Sequence, residues 1–172
     1  VAMPERVEIA AYDPAWPNRF LRIAAALQAL LGQHVLAIHH VGSTAIPGLS
    51  AKPLIDIDVI LPTAEHVLAA GAAMEAAGYE PRGNRYDHDI FAFMKRQESP
   101  GQRVYLCPDG HDTPHRRMLF RDYLRTHVET AAAYQALKVK LSEDYAYDGD
   151  GYTAAKAAFV NSTVERARLA RT

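Results

Sequence analysis

Residues 35–61, VLAIHHVGSTAIPGLSAKPLIDIDVIL, constrain the chain more than any other stretch. Val35–Val41 and Leu54–Leu61 are dense in aliphatic and β-branched side chains over lengths that suit buried strands. The segment between them carries Gly42, Ser43, Pro47 and Gly48, which punctuate a turn. A glycine at position 42 lets the backbone come close to a phosphate, and Ser43 adds a hydroxyl and an N–H as donors. Strand alternation in Leu54–Val59 puts Asp56 and Asp58 on one face and Ile55, Ile57 and Val59 on the other. Two adjacent carboxylates oppose folding unless a cation neutralises them, and paired aspartate oxygens suit Mg²⁺ held jointly with a substrate phosphate. The chemistry this favours is phosphoryl or nucleotidyl transfer, with Asp56 and Asp58 as metal ligands and catalytic residues.

The chain has 172 residues, enough for one compact domain and too few for two, so residues 1–172 are read as a single unit. Apolar content of 49% with 23% charged residues fits a globular protein and argues against extended disorder. A net charge of −1 gives no general attraction to nucleic acid or membrane surfaces and leaves a local basic patch open. The lone Cys107 supports neither an intrachain disulfide nor a cysteine-rich zinc site. With no signal-like or membrane-spanning run in the sequence, the expected location is the cytoplasm.

Taken in order, Val7–Ile9 is expected as a short edge strand, followed by a helix with Asp13 as N-cap and Pro14 at its first position. Phe20, Ile23, Ala24, Leu27, Leu30 and Leu31 recur at helical spacing and face the core, and Trp16 reads as a packing anchor. A second helix is predicted over 64–77 behind Thr63, with Gly78 as its stop. Residues 82–89, RGNRYDHD, read as a polar loop. Ile90–Arg96 and Arg103–Cys107 form a hairpin around Ser99-Pro100-Gly101, so the sheet is mixed. From Thr113 as N-cap and Pro114 the chain turns helical, to about His127, then over 129–144. Gly149-Asp150-Gly151 breaks it before a final helix over 152–170.

The Gly-Ser turn followed by Asp-x-Asp resembles the signature of the nucleotidyltransferase superfamily. The longer string HVGSTAIPGL (40–49) with AKPLID (51–56) resembles the GrpB-like family within it. LFRDYLR (119–125), then Tyr134, Leu137-Lys138, Tyr152 and Lys156, resemble that family's helical C-terminal half. The resemblance implies an α/β fold with a mixed sheet, nucleotidyltransferase-like, closed by a helical C-terminal half. It further implies a nucleoside triphosphate as substrate and Mg²⁺ as cofactor. Substrate-binding residues are then Gly42, Ser43, Lys52, Arg121 and Arg125, with Lys52 acting as a point charge on phosphate.

Arg117, Arg121 and Arg125 rise along one helix face at a spacing of four. Asp112 can pair with Arg116 and Asp122 with Arg125, whereas Arg117 and Arg121 lack a carboxylate at helical spacing. A carboxylate from elsewhere in the fold or a bound anion must offset them. The family's last strand carries histidines where this chain has Arg103 and Tyr105, and active nucleotidyltransferases bring a third carboxylate from a later strand. Asp87 and Asp89 are the nearest substitutes here. His39-His40 and His111-x-x-x-His115 form no complete zinc set. Two function classes stay open: a Mg²⁺-dependent transferase moving a nucleoside monophosphate to an acceptor the sequence does not identify, and a non-catalytic module that binds a nucleotide or a protein.

Overall fold

The computed structural model describes residues 3–85 and 89–171. Five strands form one sheet: β1 Ala37–Val41, β2 Leu54–Leu61, β3 Glu80–Arg85, β4 Ile90–Lys95 and β5 Gly101–Pro108. Their order is β1-β2-β5-β4-β3, with β2 and β5 parallel and every other pair antiparallel. The mixed sheet follows from the β4–β5 hairpin lying back alongside the aspartate strand, as the sequence predicts.

Helices α1 (Trp16–Leu31) and α2 (Ala64–Ala76) cover one face. There Ile55, Ile57, Val59 and Leu61 pack with Ile23, Leu27, Val67 and Met74 in the main core. Each of these β2 side chains is at most 1% exposed, and burying one contributes roughly 1.5–3 kcal/mol. Trp16 anchors the start of α1, edge-on to Tyr12. The second face carries Ile60, Ile90, Ala92, Tyr105 and Cys107. The C-terminal half supplies α3 (Asp112–Thr126), α4 (Val128–Asp144), α5 (Gly149–Ala155) and α6 (Ala157–Ala170). Leu119, Phe120, Leu124, Tyr134, Val164 and Ala167 of these helices close around Ile46 and Leu49, so the segment after the Gly-Ser turn is the hub of a second core.

Several boundaries depart from the sequence reading. Val7–Ile9 forms no strand, because Val7 N–H donates to Ala146 O (2.7 Å) and its side chain joins Leu141 and Tyr152, leaving only a bridge between Ala10 and Ala51. Asp13 caps the turn before α1, accepting from Ala15 N–H (2.8 Å); the helix starts at Trp16, with Pro17 rather than Pro14 in its first turn. At α3 the cap is His111, whose Nδ1 accepts from Thr113 N–H, so the helix begins at Asp112 instead of behind Thr113. The Gly149 cluster starts a helix: Asp148 accepts from Gly151 N–H (2.9 Å) and buried Tyr152 holds α5 in place, with Lys156 marking the division between α5 and α6. Part of the expected polar loop is strand, since 84 and 85 pair with β4 at the sheet edge, where Pro81 and a bulge over 82–83 are tolerated.

Candidate functional site

Gly42 leaves β1 with φ +73°, a conformation side chains resist, and a Cβ added there would lie 2.7 Å from Asp56 Oδ2. The turn therefore passes directly over the first aspartate, and only glycine permits it. Ser43 and Thr44 begin a single 3₁₀ turn. Thr44 Oγ1 donates to Leu54 O (3.1 Å), which leaves it to accept from His40 Nε2 (2.9 Å), so the turn is tied to both flanking strands. His40 is stacked on Phe20 and held neutral, its pKa lowered to about 4 chiefly by burial.

Asp56 and Asp58 lie on the same face of β2, opposite the apolar core. In register they sit between Val41 and His39 of β1 and Arg103 and Tyr105 of β5. Each aspartate has a guanidinium partner in the structure. Arg103 Nε donates to Asp56 Oδ1 (2.7 Å), and an Arg117 nitrogen donates to Asp58 Oδ1 (2.5 Å) while its guanidinium lies 4.1 Å from the Tyr105 ring centre. Arg117 thus finds its carboxylate from elsewhere in the fold. Asp58 is fully buried, and its Oδ2 has no hydrogen-bond partner among the described residues. Burial outweighs the attraction of Arg117 and lifts the Asp58 pKa to about 6.

Arg121 and Arg125 both reach the flanks of the Gly-Ser turn from α3. Arg121 donates to His40 O (3.0 Å) and Arg125 to Ala45 O (2.9 Å), so both guanidinium groups grip backbone carbonyls on either side of Gly42 and Ser43. The expected local ion pairs are redistributed. Asp122 meets Arg121 and Arg171 instead of Arg125, and Asp112 meets Arg168 while Arg116 turns to Asn161. Helix packing decides the pairings of Asp112 and Arg116, because α6 runs beside α3 and brings Arg168 and Asn161 to them, whereas Asp122 takes its neighbour Arg121 on the same helix.

Beyond the turn lies a cationic wall that spacing alone does not reveal. Lys52 Nζ and Lys156 Nζ stand 4.6 and 4.4 Å from the Tyr152 ring centre. Lys138, 1% exposed, donates to Ser50 O and lies over Tyr134. Burial first, and neighbouring positive charge second, lower the Lys138 pKa to about 7 and that of Lys156 to about 8; Lys52 is lowered for the same reasons. The one local signal for Lys138 was its position between Leu137 and Leu141, where a solvated lysine is out of place.

The third-carboxylate expectation divides: Asp87 lies outside the described residues, and Asp89 is exposed. Among the described residues no group of three or more His, Cys, Asp or Glu is placed to hold a metal. No helix there is long and apolar enough to cross a membrane.

A Gly-Ser turn over an Asp-x-Asp strand in a mixed sheet, closed by helices, defines a nucleotidyltransferase-like fold. The Cid1 poly(U) polymerase with Mg and 3′-dATP bound shares it at a TM-score of 0.57 and 14% identity, over 86% of this chain and 49% of that one. Within that class the chain belongs to the GrpB protein family, whose model matches residues 6–166. The crystal structure of conserved protein GrpB from Enterococcus faecalis is similar at a TM-score of 0.83 and 31% identity, covering 93% of this chain and 96% of that one. UPF0157 protein YqkA of Bacillus subtilis is 32% identical over 163 residues, and the chain, covered to 95%, spans 48% of that relative's length.

Proposed function

We propose that this protein binds a nucleoside triphosphate with Mg²⁺ at the Gly42–Ser43 turn and transfers its nucleoside monophosphate to an acceptor hydroxyl, whose proton is lost as the α–β phosphoanhydride bond breaks and pyrophosphate leaves. The observation that carries this reading is the buried, unpartnered Oδ2 of Asp58 on the same strand face as Asp56, over which the turn passes with room only for glycine. A free carboxylate oxygen next to a second aspartate fits one hard cation, whose remaining positions phosphate oxygens and water would fill. Magnesium bound there would withdraw charge from the α-phosphate and lower the pKa of the attacking hydroxyl. The chain's own part is positional. Gly42 admits the phosphate backbone, Ser43 offers a hydroxyl and an N–H, and Lys52 contributes charge. Arg121 and Arg125 fix the turn through its carbonyls, so the donors are preorganised before substrate arrives.

A second reading has its own support. Arg103 and Arg117 already neutralise the two aspartates, which favours a module that binds the nucleotide without turning it over. Incubation with α-labelled nucleoside triphosphates and Mg²⁺ or Mn²⁺ separates the two. Transfer places label on an added acceptor or on the protein, and Asp58→Asn abolishes it. Nucleotide binding with no labelled product from any of the four nucleotides supports the module and overturns the transferase.

A further inference from the structure

The lysines around Tyr152 form a site of their own. Lys52 precedes β2, Lys156 divides α5 from α6, and both ammonium groups lie within 5 Å of one aromatic ring centre. Lys138 stands behind them on α4, close enough that the charge of Lys156 depresses its protonation. No carboxylate among the described residues forms an ion pair with any of the three amines. Asp56, the nearest acid to Lys52 and Lys156 on the sheet, is already engaged by Arg103, itself another positive charge facing both lysines. Asp150 of α5 acts on Lys52 from an exposed position. Tyr134 and Tyr152 complete the surroundings, and burial raises the pKa of both hydroxyls, so they remain neutral.

Three half-buried or buried amines with no anionic partner are a standing cost to the fold, because burial penalises each charge and the charges repel. A cluster of this kind is offset by an anion of several charges. A chain of phosphates offers several charges and a separate set of oxygens to each of the two amines that share the Tyr152 ring, where a single phosphate offers one group. We propose that Lys52 and Lys156, backed by Lys138, bind a polyphosphate chain without any metal ion. Lys138 holds the Ser50 carbonyl and supplies potential from behind, and Lys52 and Lys156 contact phosphate oxygens. The inference relies on the nucleotide reading only for what is attached to the phosphates; the anion site stands if that reading fails.

Protonation gives the proposal a signature. Lys156 is about half neutral at pH 8 and Lys138 mostly neutral, so an arriving polyanion draws protons onto both. Titration calorimetry with inorganic tripolyphosphate in EDTA at pH 8, in two buffers of different ionisation enthalpy, measures affinity and proton uptake together. Wild-type protein binds, Lys52→Met and Lys156→Met each weaken binding at least tenfold, and Lys156→Arg keeps the affinity while losing part of the proton uptake. Comparing Lys156→Arg with wild type cancels the titration of tripolyphosphate itself. Thermal denaturation of each variant checks folding, and Lys156→Arg keeps the test decisive if a methionine variant unfolds. Wild type that binds only when Mg²⁺ replaces EDTA overturns the proposal, as do two folded methionine variants with unchanged affinity. Competition by a nucleoside triphosphate, with the matching monophosphate at least tenfold weaker, identifies the chain as a nucleotide's tail; tripolyphosphate binding without such competition identifies free polyphosphate as the ligand.

Discussion

At the centre of β2 two residues on opposite faces are buried to the same depth and stabilised in opposite ways. Ile57 and Asp58 are neighbours in sequence and each is 0% exposed. Ile57 meets α1 and α2 through apolar contact that needs no particular partner, only volume. Asp58 meets one guanidinium from α3 and leaves an oxygen unpaired. The apolar face is what makes the strand; the acidic face is tolerated because arginines arrive from distant segments. Burial alone is therefore a poor guide to which residues stabilise the fold.

Breaking the polar side should cost most. Arg117→Ala leaves a buried carboxylate without its cation, and chemical denaturation at pH 8 should show a loss of about 3–5 kcal/mol. Adding Asp58→Asn to that variant should recover much of it, which tests whether the loss belongs to the pair. If Arg117→Ala is as stable as wild type, the carboxylate has another partner and the contrast between the faces weakens. Gly42→Ala comes next, because its Cβ would meet Asp56 Oδ2 and its φ is positive. We expect about 1–3 kcal/mol, with loss of nucleotide binding in calorimetry.

On the apolar face, Ile57→Val removes one methylene and should cost about 0.5–1.5 kcal/mol, independent of pH. The acidic face also has a pH dependence, carried by Asp58, that the apolar face lacks. Its folded pKa, about 6, lies above the usual carboxylate value of roughly 3.9, so the folded state binds more protons between them. Its contribution is fully present below about pH 4 and is lost as pH rises through 6. Melting temperatures across pH 4–7 should therefore fall more steeply in wild type than in Asp58→Asn; parallel curves would show that Asp58 ionises without penalty.

Much of this was legible before any coordinates. Alternation in Leu54–Leu61, with Gly42 and Ser43 ahead of it, determined the strand, its two faces and the turn, because local sterics and side-chain period act within a few residues. The β4–β5 hairpin and the α2 cap at Thr63 followed from equally local chemistry. The helical caps drifted where several residues competed, as at Asp13 and Ala15 or His111 and Thr113. What only the tertiary structure decided is every partner of the charged groups. Arg103 is 47 residues from Asp56 and Arg117 is 59 from Asp58, and no spacing rule spans such intervals. The lysine wall has the same origin: Lys52, Lys138 and Lys156 come from three separate segments, and only the packing of the helical half brings these solvated-looking charges together around Tyr152 and Tyr134.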